Sequence, residues 1–289
     1  MSWKNSDQAE GLRRLLVKVQ GHTITLVSAQ RGAGKSSVVA NLATTMAAAG
    51  KDVLVIDQSR LSRPVGRLLG IAAGPDLLDV ISGASRLDQA VSRSALGPAL
   101  LSARRALRPL HRTEPLHLQL EQLAQDYDTV LVDAGDAAEF SPVLPLAGRQ
   151  QEIVVVMTAQ GESITDAYAL IKSMHWRLGQ RRYGILLNQA DSDQEAGHIF
   201  NNMARVAQNY LAVTLDLVGV VPRDGWMRQA GQLNQPVVEA FPRAPAAAAI
   251  RAVADRLAHR QLEKSTANIT VSTDPVSAFG RAAKAVNFA

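Results

Sequence analysis

The sequence predicts a three-layer α/β fold, a mostly parallel sheet with helices on both faces. Two observations carry this. Short, almost wholly apolar strands alternate with helical stretches, and strands apolar throughout belong to sheets covered on both sides. Lys35, Asp57, Asp133 and Asn188 also fall at or just past the carboxyl ends of these strands, where such sheets bind ligands.

The element at the centre runs from Thr23 to Ala49. Thr23-Ile24-Thr25-Leu26-Val27 is a β-branched strand, Ser28 to Ser37 a glycine loop, and Val38 to Ala49 a helix closed by Gly50. Strand, glycine loop, Gly34-Lys35-Ser36 and helix are the context of a P-loop. Glycines let backbone N–H groups approach a phosphate chain, and a helix N-terminus adds partial positive charge. Lys35 is then expected on the β/γ-phosphates and the Ser36 hydroxyl on Mg²⁺. The pattern asks for glycine where Ala29 stands. An ordinary βα turn with a solvated lysine is the plainer reading, but it leaves the downstream acids unexplained.

Asp7 and Glu10 suggest a capping box for a helix whose apolar face is Ala9, Leu12, Leu15, Leu16 and Val19. Gly11 inside it costs ~1 kcal/mol relative to alanine. Asp52 to Asp57 is a buried-type strand ending in an acid. Residues 58–75 are read as an irregular, switch-like loop, and Leu77 to Ile81 as a short helix. Arg104, Arg105, Arg108, His111 and Arg112 form a basic run, by default a solvated face. It is also the best internal candidate for meeting an acidic surface or a phosphate backbone. Leu116 to Gln125 is helical. Thr129 to Asp133 is a strand ending in an acid, as a Walker B element does, and Asp133 would hold the metal through water. Further strands lie at 153–157, 183–188 and 217–222. Helices lie from Ile164 (capped by Ser163) to Arg177, at 195–211, near 224–232 and at 245–262. Residues 263–274, rich in Ser and Thr, read as a linker. Val276, Phe279, Ala283 and Val286 would form a small stripe on a final helix, though a disordered tail is the preferred reading. The expected organisation is an arm at 1–20, a P-loop domain at 21–262 and a tail at 263–289.

Composition narrows the chemistry. The 289 residues contain no cysteine, so disulfides, thiolate nucleophiles and Cys-ligated metals are excluded. No apolar run reaches the ~18 residues of a membrane span, and the polar start is no signal peptide, which fits a cytoplasmic chain. A net charge of +5 permits anionic partners without selecting one. Aromatics at 4% are too few for a base-stacking platform.

The P-loop, Asp57, Asp133, Asn188 and Val221-Pro222-Arg223-Asp224 together resemble the MinD/ParA class of deviant-Walker P-loop ATPases. Asp7-Gln8-Ala9-Glu10-Gly11-Leu12-Arg13 resembles the D-Q-A-x-x-L-R motif of the flagellar-number regulators FlhG, FleN and YlxH. Ser163 to Lys172 and Pro236 to Pro242 are similar to that group as well. The resemblance implies a homodimer with ATP and Mg²⁺ between subunits, followed by membrane association. It also implies an N-terminal helix that stimulates the GTPase FlhF. A flagellar switch protein or a flagellar transcription factor is the other implied partner, and the localisation is cytoplasmic with reversible membrane contact at the cell pole. By position, Gly32, Gly34, Lys35, Ser36, Ser37 and Pro222 would contact nucleotide. Asn188 would read the adenine edge. Ser36, Asp57 and Asp133 would serve the metal, and Asp7, Gln8, Ala9, Leu12 and Arg13 the partner.

Two departures stand out. The family's signature lysine, which crosses the dimer to the partner's nucleotide, is here Gln30, followed by Arg31 where glycine is expected. Arginine neutralises transition-state charge, which makes Arg31 the candidate substitute beside the catalytic residues Lys35 and Asp57. Its Cβ is a steric problem if that backbone needs φ > 0. The family's water-positioning aspartate is here Ser59. One charge-stabilising donor is worth ~10²–10³ in rate, so ATP hydrolysis is expected to be slow or lost. A pseudo-ATPase scaffold is the alternative from another class. A regulator of polar cellulose secretion shares the core but not the N-terminal motif. DNA is not an expected partner, since the basic run alone supports it.

Overall fold

The computed structural model describes residues 21–59, 65–105, 114–135 and 150–272. The expected N-terminal helix with Asp7, Gln8, Ala9, Leu12 and Arg13, the tail beyond residue 272, and Arg108, His111 and Arg112 of the basic run lie outside them.

Eight strands form one sheet: β1 (His22–Val27), β2 (Val53–Asp57), β3 (Val91–Arg93), β4 (Ala99–Ser102), β5 (Thr129–Asp133), β6 (Gln150–Met157), β7 (Arg182–Ala190) and β8 (Thr214–Pro222). Their order is β3-β4-β2-β5-β1-β6-β7-β8, parallel throughout except for β3, which runs antiparallel to β4. Ten helices are described: α1 (Lys35–Ala48), α2 (Val65–Leu68), α3 (Leu77–Ile81), α4 (Leu87–Ala90), α5 (Glu114–Gln125), α6 (Gly161–Leu178), α7 (Asp193–Leu211), α8 (Gly225–Gln232), α9 (Val237–Ala240) and α10 (Pro245–Ser272).

The period-2 alternation of each strand splits the core into two layers. Leu54, Ile56, Val130, Val132, Ile185 and Leu187 face the layer of α5, α6 and α7. Val53, Val55, Leu131 and Leu186 face the layer of α1, α8 and α10. Because both faces are covered, the strands need no polar side, and their sequences read as continuous apolar runs. The three-layer α/β expectation is therefore met.

Some expectations are corrected. The span 58–75 contains helix α2, whose Val65 and Leu68 are buried in the second layer. Two short strands, β3 and β4, precede the basic run; at three and four residues they are too brief to show a hydrophobic period. Ser163 is not an N-cap. Helix α6 starts earlier, at Gly161, and the buried Ser163 hydroxyl accepts the Thr158 N–H at 3.0 Å. Helix α10 continues to Ser272 through the stretch read as a linker. Propagating a helix already nucleated by packed turns adds one bond per residue fixed, so Ser and Thr are tolerated there.

One carboxylate joins two helix starts. Asp224 Oδ1 accepts Trp226 N–H at 2.9 Å at the head of α8, and its Oδ2 accepts Ala246 N–H at 3.0 Å at the head of α10. Losing both caps in Asp224→Ala is expected to lower stability by about 2 kcal/mol, read from the urea unfolding midpoint.

Candidate functional site

β1 is where the strand order turns: its own helix leads towards β2, whereas the chain returns beside it later as β6. Such a switch point leaves a crevice at the carboxyl ends of the strands. A cleft of about 850 Å³ lies there, lined by the loop Ser28–Ser37 and by Ser59, Asn188, Gln189, Pro222 and Arg228.

The loop has the backbone a phosphate cradle needs. Gly32 and Gly34 have φ of 85° and 86°, in the left-handed region that glycine enters without steric cost. A Cβ on Gly34 would also sit 2.2 Å from Asn188 Nδ2. Arg31 lines the cleft and is absent from the residues with positive φ, so the steric problem expected for its Cβ does not arise. Gln30 faces the same cleft.

Beneath the loop, Asp133 gathers the first turn of α1. The Lys35 ammonium donates to Asp133 Oδ1 and to the Ala134 carbonyl, and the Ser36 hydroxyl donates to Asp133 Oδ2 at 2.6 Å. Asp133 is fully buried. Asp57 lies beside it in register, at the end of the adjacent strand. The Ser59 N–H donates to Asp57 Oδ1 at 2.9 Å and the Val65 N–H to Oδ2 at 3.2 Å. Burial, reinforced by the neighbouring Asp133 charge, pushes the Asp57 carboxyl up to about 7. The Ser59 N–H, Arg104 and Lys35 oppose the rise.

These residues suit Mg²⁺ and a phosphate chain. Magnesium takes one or two carboxylates together with substrate phosphates, and the hard oxygens of Ser36, Asp57 and Asp133 are that donor set. Among the described residues no cluster of three or more His, Cys, Asp or Glu side chains forms a separate metal cage. Bound there, the ion would neutralise charge on the transferring phosphoryl group.

Asn188 is at the cleft, but its Nδ2 donates to the Ala33 carbonyl at 2.7 Å, so the loop holds one side of this amide. Its neighbour went unread in the sequence. Gln189, at φ 57° on a β7–β8 bulge, donates from Nε2 to the Gly32 carbonyl at 3.0 Å. Two amides at a strand tip were the available signal. Pro222 lines the cleft. The basic run was read as a solvated face, yet Arg104 turns inward, its Nε donating to the Ser59 carbonyl at 2.7 Å, and Arg105 pairs with Asp79.

Residues 24–237 match the family model of the CobQ/CobB/MinD/ParA nucleotide binding domain. The chain belongs to this family. The antiactivator FleN of Pseudomonas aeruginosa is 33% identical, the match covering 81% of this chain and 85% of FleN. The septum site-determining protein MinD of Bacillus subtilis is 24% identical, over 82% of this chain and 89% of MinD. Among solved structures, MinD of Aquifex aeolicus superposes with a TM-score of 0.65 at 23% identity, covering 83% of this chain and 98% of that one. MinD of Pyrococcus horikoshii complexed with Mg-ADP gives 0.62 at 22% identity, over 83% and 98%. The MinD/ParA resemblance drawn from the P-loop and the strand-end acids is thereby established.

Two outcomes are expected at this site. Gly34→Ala forces a left-handed alanine, about 1–2 kcal/mol of backbone strain. It also drives a methyl into Asn188, so binding of a fluorescent ATP analogue should be lost. The second concerns pH. The folded chain holds the Asp57 proton up to about pH 7, whereas the unfolded chain releases it near 3.8. Folding therefore takes up a proton between those values, and stability falls as pH rises through that window, by up to about 1.4 kcal/mol per unit. Urea unfolding at pH 5 and pH 7.5 should show this slope in the wild type and its loss in Asp57→Asn.

Proposed function

We propose that this MinD/ParA-family chain is an ATP-binding regulator of flagellar number and placement, with slow hydrolysis at most. The observation that carries the reading is the convergence of Lys35, Ser36, Asp57 and Asp133 at a cleft lined by Gln30 of the glycine loop and by Ser59 beyond β2. Similarity to the antiactivator FleN over 81% of the chain supports the regulatory part. Lys35, Ser36 and Ser37 hold the phosphates. Asp57 and Asp133 support Mg²⁺, and Pro222 with the free side of Asn188 meets the base.

The two departures set the rate. Gln30 brings a neutral amide where the family brings a lysine across the dimer, and Ser59 is no carboxylate base. Arg31, exposed and lining the cleft, is a cation placed to compensate. The ATP-loaded form is then long-lived, and the chain acts as a homodimer that signals its loaded state. It meets an FlhF-type GTPase through residues 7–19 and the membrane surface reversibly. A pseudo-ATPase scaffold is the second reading, favoured by the same Gln30 and Ser59.

Steady-state ATP hydrolysis by the wild type beside Lys35→Ala and Arg31→Ala, with nucleotide affinity measured in parallel, separates these readings. Micromolar binding lost in Lys35→Ala, with weak turnover that falls a further ~10²-fold in Arg31→Ala, is the expected result. No nucleotide binding by the folded wild type overturns it and leaves the scaffold. A peptide of residues 1–20 should raise the GTPase rate of the cognate FlhF; an unchanged rate, with a known activator peptide working in the same assay, refutes that partner.

A further inference from the structure

Arg104 belongs to no motif, yet it is tied to the cleft. Strand β4 ends at Ser102, beside Asp57 at the end of β2. The chain then turns across the sheet edge, held at two points: the Ala103 N–H donates to the Asp57 carbonyl at 2.8 Å and the Arg104 N–H to Asp76 Oδ2 at 3.0 Å. Asp76 is itself fixed. Its Oδ1 accepts the Leu78 N–H at 3.0 Å as the N-cap of α3, and its Oδ2 accepts the Ser102 hydroxyl at 2.6 Å. From this anchored backbone the half-buried Arg104 side chain reaches back, and Nε donates to the carbonyl of Ser59 at 2.7 Å. Ser59 lines the cleft, two residues beyond Asp57.

We infer that Arg104 is a positioning residue of the nucleotide site, its guanidinium holding the Ser59 backbone against the cleft from an anchor on α3. The inference rests on the reading of the cleft as an ATP site. Ser59 occupies the position from which the family orients water, and its side chain supplies no carboxylate. The backbone there is instead steadied from behind by a charged donor bound to a carbonyl, a stronger hydrogen bond than a neutral one. The same contact makes the head of the basic run part of the site, since Arg105, next along, pairs with Asp79 of α3. A guanidinium suits the task because its donors are fixed in a plane, whereas lysine offers a single mobile ammonium.

The experiment compares full-length wild type, Arg104→Ala, Arg104→Gln and Arg104→Lys. It measures amide hydrogen exchange with and without Mg-ATP, affinity for a fluorescent ATP analogue, and steady-state turnover. The Gln58 and Ser59 amides report directly, because they donate to the Asp133 carbonyl and to Asp57 Oδ1. In Arg104→Ala and Arg104→Gln, exchange at these two amides should rise about tenfold, with exchange in α1 and the unfolding midpoint unchanged. Turnover should fall about ten- to a hundredfold at constant KM, the cost of a misplaced reacting geometry. Arg104→Lys should lie between. Unchanged exchange at Gln58 and Ser59, a rise shared equally by α1, or a loss that appears in KM alone overturns the assignment. If the wild type binds no ATP, the reading of the cleft fails, and the exchange comparison still decides whether Arg104 tethers Ser59.

Discussion

The structure depends on the carboxylate of Asp133. It ends a central strand, is fully buried, and takes both Lys35 and Ser36 from the first turn of α1. This fixes where the glycine loop lies relative to the sheet. A buried carboxylate needs a partner, and a buried ammonium needs one equally. Each supplies the other here, and the Ala134 carbonyl takes a further ammonium proton. The arrangement also defines what a ligand must do. A phosphate chain entering the loop would compete with Asp133 for Lys35, and a cation beside Ser36 would compensate the carboxylate it leaves.

The second carboxylate is held differently. Asp57 sits one strand over, in register with Asp133, and accepts the backbone N–H groups of Ser59 and Val65. Burial and a like charge alongside favour its protonated form, which is why its proton is retained to about pH 7. A divalent cation reverses that preference by supplying the missing opposite charge. The two acids are thus held in distinct ways: Asp133 pairs with the first turn of α1, and Asp57 is bound by backbone N–H groups without a direct ion pair among the described residues.

Much of this was legible in the chain. The apolar strands, the glycine loop and the strand-end acids announced the architecture and the cleft, because burial on both faces and the ligand side of a parallel sheet leave local signatures. The departures at Gln30, Arg31 and Ser59 were equally plain. Other parts left no local trace. Strands β3 and β4 are too short for a period to appear. Ser163 looks like a helix cap, but its hydroxyl serves the Thr158 N–H. Arg104 looks like one charge in a solvated run until the fold brings Ser59, 45 positions earlier, against it.

Local sequence alone settles the layer architecture, the glycine loop and the residues that meet at it. Each follows from patterns within a few residues: the strand period, glycine at left-handed positions, and a helix start after a loop. How those residues are shared out depends on long-range packing. It gave Lys35 and Ser36 to Asp133, turned the Asn188 amide and Gln189 onto the loop carbonyls, and aimed Arg104 at Ser59. These are bonds between positions far apart in the chain. Their partners are chosen by the register of the strands and by the need of every buried polar group for a mate, and no local pattern encodes either.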